Sequence, residues 1–384
     1  MSLCQTNSDL VVFGEDWGRH PSSTQHLMKR LAVDRRVVWV NSIGMRRPGL
    51  DWSDMARLRS KLQAWRRDRS TTNSVSAATP EMPAVDILAP MAMPWPGSRT
   101  AEYINKIALR HQIGTRLRAK GMARPILWAS LPTALPAVGE LGEKAVVYYC
   151  GDDFSALAGV DHGPVLEMEQ RLVEKADLIL AASPTLAARF PSNKTKFLPH
   201  GADIDLFATP TPRAVDLPMD RPVAGFYGSL SGWIDVALLG RVAQSLPDWW
   251  VVLIGDVRTD VSAIARLDNV RLLGPRPHDA LPSYSQHWTA SLLPFRDCPQ
   301  ITACNPLKLR EYLAAGRPVV STPFPALAPY GGVVMQAESA GAFVGCLRQS
   351  LDDDARNVSA RRAAIAGETW EARAAMVNHA LRIL

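Results

Sequence analysis

One stretch decides the fold of this chain: it reads NPLKLREYLAAGRPVV and occupies residues 305–320. The pattern predicts a helix that is closed at both ends and then a buried strand. Asn305 is a good N-cap, and Pro306 suits the first helical position, where its missing N–H costs nothing. Gly316 fits the left-handed residue after a helix, and Pro318 prevents the helix from continuing.

Two charged residues of this helix suggest a ligand. Lys308 lies in the first turn, beside the positive end of the helix dipole, where a cation is unfavourable unless an anion binds there too. Glu311 lies one turn further on and can accept hydrogen bonds from sugar hydroxyls. The alternative is an ordinary Lys–Glu pair on a solvated helix, because such pairs are common at this spacing.

Short apolar runs alternate with segments of helical periodicity, which predicts parallel strands joined by crossover helices. Between two such sets, residues 208–222 hold four prolines and indicate a linker. The fold class is therefore α/β, with two doubly wound Rossmann-like domains, residues 1–207 and 223–365, facing a central cleft. The candidate strands are Leu10–Phe13, Val37–Val40, Val85–Leu88, Ile126–Ala129, Ala145–Tyr149, Leu178–Ala182, Val223–Tyr227, Trp250–Ile254, Val270–Leu273, Ala290–Leu293 and Pro318–Ser321.

The composition is that of an ordinary globular protein, with 384 residues, 47% apolar and 21% charged. No signal peptide is visible at the start, and no apolar run approaches the roughly 18 residues that span a bilayer. The five cysteines form no CxxC pair, which favours a reduced, cytoplasmic chain. Cys298 and Cys304 lack partner ligands at metal spacing, so we expect no metal.

Positive charge is concentrated in the first half of the chain. Residues 1–200 hold 26 Lys and Arg against 19 Asp and Glu, whereas the rest hold 17 against 18. Basic residues surround Leu58, Leu62 and Trp65, which predicts an amphipathic helix over 52–69 on an anionic membrane surface. A solvated helix packed on its domain is the alternative. Nucleic acid is not expected, because no recognition motif is present.

The loop after the first predicted strand has features of a ligand site. Gly14 and Gly18 allow close backbone approach at the positive end of a helix, which begins with a capping box formed by Ser22 and Gln25. A structural turn explains the two glycines equally well. His20, in the same loop, either reaches the cleft or caps a neighbouring group.

Two adjacent carboxylates follow the strand predicted at 145–149. An Asp at a strand end, partly shielded from water, suits a general base, and helix capping is the competing role. We predict Asp152 as the base and Asp153 as the cap. In the second domain, Gly228 and Ser229 follow the first strand, where small residues let backbone N–H groups face phosphates.

The stretch at 305–320 resembles the nucleotide-sugar-binding helix of GT-B glycosyltransferases. In that motif a Glu stands five residues before a Gly, and Pro-Val-Val follows. Glu311, Gly316 and residues 318–320 match it. His200 and Gly201 resemble the segment that ends the first domain in many such enzymes. This implies a contact of His200 with the diphosphate or a role as base, although a turn histidine is equally compatible.

The resemblance also bears on mechanism. Retaining members of family 4 clamp the diphosphate with an Arg and a Lys near the first strand of the second domain, but residues 222–240 contain neither. The Glu that those enzymes carry eight residues before Glu311 is replaced by Ala303. These departures favour inversion with Asp152 as base, a residue that aligns with the catalytic Asp of enzymes similar to the xanthan-pathway glucuronosyltransferase.

The resemblance implies a metal-independent glycosyltransferase of the hexosyltransferase type, with no cofactor. Its nucleotide-sugar donor, expected to be UDP-linked, would contact Gly228, Ser229, Asn305, Lys308 and Glu311. The acceptor would be a saccharide on a polyprenyl diphosphate at the inner face of the plasma membrane, in exopolysaccharide or other surface glycan synthesis. A C-terminal helix at about 366–384 would return to the first domain.

Two other functions are compatible with the same residues. A nucleotide-sugar epimerase uses the same two-domain fold, and product formation without any acceptor would favour it. A catalytically silent scaffold would keep the fold and bind no nucleotide.

Overall fold

The computed structural model describes residues 7–18, 22–47, 85–157 and 159–384. They form two compact units. The first takes in the described residues up to Pro199 together with Arg373–Leu384, and the second is His200–Ala372. His20 and the helix predicted over 52–69 lie outside the described residues.

The first unit is built on a parallel sheet of seven strands in the order β3-β2-β1-β4-β5-β6-β7. The direction of winding reverses between β1 and β4, which is where doubly wound sheets bind ligands. The strands are almost wholly apolar because helices cover both faces of such a sheet. They are β1 (Leu10–Phe13), β2 (Val37–Val40), β3 (Val85–Leu88), β4 (Ile126–Ala129), β5 (Ala145–Cys150), β6 (Leu178–Ala181) and β7 (Thr195–Phe197).

The second unit contains a parallel sheet of six strands in the order β10-β9-β8-β11-β12-β13. Its winding reverses between β8 and β11. The strands are β8 (Val223–Tyr227), β9 (Trp250–Ile254), β10 (Val270–Leu272), β11 (Ala290–Leu293), β12 (Val319–Ser321) and β13 (Met335–Gln336).

Helices connect these strands in both units. The α-helices that begin in the first unit are Ser23–Leu31, Arg99–Ala119, His162–Lys175 and Pro184–Ala187. Those of the second unit are Ile204–Ala208, Val236–Ser245, Ser262–Ala265, Pro282–Ser285, Pro299–Ala303, Leu307–Ala315, Ala340–Gln349, Ala355–Ile365 and Trp370–Leu381, of which the last continues into the first unit. Short 3-10 turns lie at Pro132–Ala137, His278–Ala280, Pro325–Tyr330 and Ser350–Asp352.

The predicted α/β architecture of two doubly wound Rossmann-like domains is confirmed. Each strand predicted from the sequence is present, with its ends displaced by one residue at most. Two strands were not predicted, β7 and β13, which are short and lie at the edges of their sheets.

The second unit begins earlier than the sequence suggested. The stretch 208–222, predicted as a linker, is tied to this unit by hydrogen bonds: Gln286 Nε2 donates to the Thr209 carbonyl at 2.7 Å, and the Ala214 N–H donates to the Ser283 carbonyl at 3.0 Å. Further back, the Ala202 N–H donates to the Glu368 carbonyl at 2.9 Å. These bonds place the boundary after Pro199.

The C-terminal residues 373–384 belong to the first unit. There the Asn378 side chain accepts a hydrogen bond from the guanidinium of Arg35, whose side chain is almost fully buried. Within the described ranges, no helix combines the length and the apolar character needed to cross a bilayer.

Candidate functional site

The helix predicted at 305–320 is present and runs from Leu307 to Ala315. Gly316 ends it in the left-handed conformation, with φ 83°, as predicted. The predicted N-cap is wrong by one residue, because Pro306 occupies that position. The side-chain oxygen of Asn305 accepts a hydrogen bond from Arg310 Nη1 at 2.6 Å.

Arg310 anchors this helix in the second unit. It is buried, and its Nε donates to the carboxylate of Glu368. The hydroxyl of Tyr330 donates to the same carboxylate at 2.8 Å. The network orients the helix and includes Asn305, whose contact with a donor therefore stays a prediction.

Lys308 extends across the turn that follows β8. A Cβ added to Gly228 would lie 2.1 Å from Lys308 Cε and 2.9 Å from its Nζ. Gly228 has φ 134°, so glycine suits both the backbone conformation and the close contact. This turn lies at the point where the winding of the second sheet reverses, and the half-buried ammonium lies over it.

The electrostatics of Lys308 favour an anion. Within the described part of the chain its ammonium makes no hydrogen bond and no ion pair within 4 Å. Desolvation lowers the pKa of Lys308, and the charge of Glu311 partly opposes this effect. A half-buried cation without a bonded protein partner is stabilised when an anion is bound beside it.

Backbone donors lie in the same turn. The Leu230 N–H donates to the Asp256 carbonyl at 2.9 Å. The N–H groups of Ser229 and Gly232, by contrast, have no acceptor among the described residues. The Ser229 hydroxyl is hydrogen-bonded to that of Ser231 at 2.8 Å. Backbone N–H groups exposed in a turn beside a cation form a favourable environment for phosphate oxygens.

Glu311 is buried, and two side chains hold its carboxylate. Tyr227 Oη donates to Oε2 at 2.7 Å, and His278 Nε2 lies 2.7 Å from Oε1. Desolvation alone would lower the pKa of His278, but the hydrogen bond and charge of Glu311 raise it. Each carboxylate oxygen keeps a further lone pair for a ligand hydroxyl. His278 was not predicted from the sequence.

In the first unit, the glycines after β1 have structural causes. A Cβ on Gly14 would lie 2.4 Å from the ring of Trp39. Ser22 caps the following helix as predicted, since its Oγ accepts from the Gln25 N–H at 3.3 Å. The Gln25 side chain accepts from the Gly18 N–H at 3.2 Å and so holds the loop against the helix.

Asp153 and Asp152, which follow β5, have different surroundings. Asp153 accepts hydrogen bonds from the Ser155 N–H at 2.9 Å and its hydroxyl at 2.5 Å, and it pairs with Arg189. Although desolvation opposes the effect, these partners lower the pKa of Asp153. Asp153 therefore caps a turn, whereas the cap of a helix was predicted.

The carboxylate of Asp152 accepts no hydrogen bond from the described residues. Desolvation, followed by the negative charges of Glu15 and Asp153, raises the pKa of Asp152 to about 6. Because the Asp152 side chain is exposed in the structure, we attribute its raised pKa mainly to the two like charges. An accessible carboxylate with a raised pKa and no fixed partner has the properties of a general base.

A buried network supports the loop that carries Asp152. Tyr148 Oη donates to Glu169 at 2.5 Å, and Arg189 reaches the other oxygen of that carboxylate at 3.5 Å. The thiol of Cys150 donates to the Asp152 carbonyl at 3.3 Å. The network fixes the backbone and leaves the Asp152 side chain outside it.

Gly201 has a packing role at the start of the second unit. A Cβ there would lie 2.8 Å from the Trp370 backbone nitrogen, so only glycine permits this approach. His200 is half-buried beside it. A contact of either residue with a ligand stays a prediction.

The acidic run 352–354 has structural roles. Asp354 caps the helix Ala355–Ile365 by accepting from the Asn357 N–H at 2.9 Å, and Asp353 pairs with Arg361. In the part of the chain that the structure describes, no group of three or more His, Cys, Asp and Glu side chains is placed to hold a metal ion.

Comparison with known proteins relates this architecture to sugar transfer. Residues 221–353 match the family model of glycosyl transferases group 1. A putative teichuronic acid biosynthesis glycosyltransferase, TuaH of Bacillus subtilis, is 28% identical over 224 residues. That alignment spans 53% of this chain and 56% of the relative.

Solved structures share the whole fold at low sequence identity. HepE of Anabaena, crystallised with UDP and glucose, has a TM-score of 0.68 and 15% identity, covering 98% of this chain and 100% of HepE. Sucrose-phosphate synthase of Thermosynechococcus elongatus has a TM-score of 0.67 and 16% identity over 98% of each chain. The sequence match is therefore to the group 1 glycosyl transferases over residues 221–353, and the chain shares the GT-B fold of these solved structures.

Proposed function

We propose that this protein is a glycosyltransferase that moves a sugar from a UDP-linked donor to a saccharide acceptor carried on a polyprenyl diphosphate. The observation that carries the proposal is the half-buried ammonium of Lys308, which lies over the turn at Gly228 and has no bonded partner among the residues that the structure describes. A diphosphate would supply the missing negative charge, and the N–H groups of that turn would add hydrogen bonds.

In the proposed reaction, an acceptor hydroxyl attacks the anomeric carbon while the bond from that carbon to the diphosphate breaks. Asp152 takes the hydroxyl proton, which its raised pKa favours near neutral pH. Lys308 and the positive end of its helix stabilise the departing diphosphate. Glu311 accepts hydrogen bonds from the ribose hydroxyls. These roles require no metal ion, and a single displacement inverts the anomeric configuration.

The names of similar proteins support the choice of substrates. HepE was crystallised with UDP and with UDP-glucose, and TuaH is assigned to teichuronic acid biosynthesis. On this basis we place the protein in surface glycan synthesis at the inner face of the plasma membrane. The excess of basic residues in the first half of the chain supports contact with anionic lipid there.

The variant Asp152→Asn tests the proposed base. It keeps the size of the side chain but cannot take a proton, so we expect transfer to slow by about a thousandfold. UDP affinity should stay unchanged in isothermal titration. The control is Glu167→Gln, the same change at an exposed carboxylate of the first unit, which should transfer normally. Full activity of Asp152→Asn would contradict the assignment.

The stereochemistry is tested on the product. Nuclear magnetic resonance of the new glycosidic bond should show the anomeric configuration opposite to that of the donor. Retention of the donor's anomeric configuration would exclude single displacement, but it would not contradict the proposed donor site. Conversion of the nucleotide sugar without acceptor would instead support the epimerase.

A further inference from the structure

The helix Arg99–Ala119 presents apolar side chains on its outer face. Its inner face is buried at every fourth position, at Ala101, Asn105, Leu109, Ile113 and Leu117. On the outside, Tyr103 is 64% exposed, Ile104 43% and Ile107 51%. Apolar residues thus lie on both sides of this helix, and only one side is buried.

The segment before the helix adds three large side chains to this surface: Met91, Met93 and Trp95, all of which are exposed. Its backbone is bound to the helix. Asn105 accepts from the Met93 N–H at 2.7 Å and donates to the Met93 carbonyl at 2.9 Å. Gln112 does the same for Met91, at 2.8 and 3.0 Å.

Because these bonds fix the backbone, the two methionines line the surface as part of a defined structure. We call the resulting apolar surface the Ile107 face, formed by Met91, Met93, Trp95, Tyr103, Ile104 and Ile107. Part of it, with neighbouring residues of the helix, lines a concavity of about 840 Å³.

Cations beside the Ile107 face extend further into solvent than the acids that pair with them. The side chains of Lys106 and Arg110 are 48% and 70% exposed, whereas Glu140, which pairs with both, is 15% exposed. Further along, Lys120 is 39% exposed and its partner Asp86 14%. The acids are recessed, so an approaching surface meets mainly positive charge.

We propose that the Ile107 face binds the surface of an anionic lipid bilayer. A helix with exposed isoleucines, interfacial aromatics and flanking cations has the features of an element that lies in the headgroup region. The apolar side chains would enter the acyl boundary while the cations contact anionic headgroups. The inference rests on the proposed function, which already includes contact with anionic lipid, and it deepens that proposal by naming the face that makes the contact. Lipid binding itself needs neither a donor nor an acceptor.

Vesicle sedimentation of the full chain tests the proposal. We expect binding to vesicles of phosphatidylcholine and phosphatidylglycerol in equal parts, and weak binding to phosphatidylcholine alone. The variant Ile104→Ser/Ile107→Ser should bind about tenfold more weakly, since it loses the apolar contribution. The variant Lys106→Gln/Arg110→Gln should also bind vesicles about tenfold more weakly, and its binding should depend much less on salt concentration.

Controls come from exposed residues of the second unit. Val215→Ser/Met219→Ser removes two exposed apolar side chains, and Arg356→Gln removes an exposed cation. These variants should bind vesicles like the wild type, and all variants should show the same thermal unfolding. UDP binding, measured in parallel, should be unchanged, so failure of this proposal is distinct from failure of the proposed transferase.

Four results would overturn the proposal. The first is a wild-type protein that does not sediment with anionic vesicles, and the second is an isoleucine variant that binds them as well as the wild type does. Another is a dimer, seen by light scattering, that the isoleucine variant dissociates, because a second copy would then cover the face. The last is faster hydrogen exchange at residues 48–84 in that variant without lipid, because the chain itself would then cover the face.

Discussion

Lys308 combines several properties that make it the leading candidate for a ligand contact. It is the only lysine in residues 197–384, while the other cations of that region are arginines and histidines. Burial lowers the pKa of its ammonium, so a larger fraction is neutral and reactive at mildly alkaline pH. The same ammonium lies beside backbone donors over the turn at Gly228.

We predict that UDP protects Lys308 from acylation. A bound diphosphate would cover the ammonium and favour its charged form, so acetylation with a water-soluble reagent should slow by about tenfold or more. Peptide mass spectrometry measures this directly, because the peptide that contains residue 308 has no other lysine. The exposed lysines of the first unit serve as internal controls and should react at the same rate with and without UDP.

A second residue-scale prediction concerns the pH dependence of transfer. The base must be deprotonated, so activity should fall as the pH drops below about 6, the pKa of Asp152. Glu15→Gln removes a like charge that raises this pKa. The acid limb of the pH profile of kcat/KM should therefore move to lower pH in that variant, while activity at neutral pH is kept. An unmoved limb would mean that another group titrates there.

The sequence identified some of these residues and missed others for physical reasons. Lys308 and Glu311 could be predicted because they lie three positions apart on one helix, so the pattern is visible in the local sequence. His278 was not, since its only link to Glu311 is a tertiary hydrogen bond across 33 positions of the chain. Asn305 was predicted as a cap because it precedes a helix, but the guanidinium of Arg310 is a stronger partner for its amide oxygen.

At the scale of elements, the helix Leu307–Ala315 depends on a buried ion pair for its position. Arg310 is paired with Glu368, which the hydroxyl of Tyr330 also contacts. Removing one member of a buried pair leaves the other charge without compensation. The orientation of Lys308 and Glu311 toward a ligand therefore depends on a residue more than fifty positions away in the sequence.

We predict that Glu368→Ala lowers the free energy of unfolding of the second unit by about 3 kcal/mol, because Arg310 stays buried without its carboxylate. Urea denaturation measures the change. The matched control is Arg356→Gln, which breaks an exposed pair with Asp354 and should cost less than about 1 kcal/mol. Equal losses in the two variants would show that the buried pair has no special role.

Secondary structure followed from the sequence wherever strands are buried on both faces. Runs such as Leu10–Phe13 and Trp250–Ile254 are continuous and apolar, as buried parallel strands require. β7 and β13 escaped prediction because an edge strand needs fewer apolar residues. β7 consists of a threonine, a lysine and a phenylalanine, and none of the three is buried.

At the scale of the whole molecule, the fold was predictable from alternating strands and helices, but the limits of the units were not. The prolines of 208–222 indicated a linker, yet side chains such as Gln286 hold this stretch on the second unit. A high proline content indicates that a segment forms no regular helix or strand. It does not indicate whether the segment is hydrogen-bonded to a neighbouring domain.

The C-terminal residues provide a prediction at this scale. A chain that ends after Ala372 loses Val377 and Leu381, which are both buried in the first unit. At about 2 kcal/mol for each side chain, this loss should lower the melting temperature of the first unit by roughly 10 °C. UDP affinity should persist, because the proposed donor contacts lie in residues 228–311. The control is Ile383→Ser, an exposed position, which should melt like the wild type.

The return of the chain to its first unit has a consequence for synthesis on the ribosome. The second unit is complete in sequence as soon as residue 372 has been made, whereas the first must wait for residues 373–384. Until then the guanidinium of Arg35 lacks its hydrogen bond to Asn378, and the apolar surface that Val377 and Leu381 cover is exposed to water. Nascent chains that stall before residue 373 would therefore expose apolar surface in the first unit, although most of that unit was translated first.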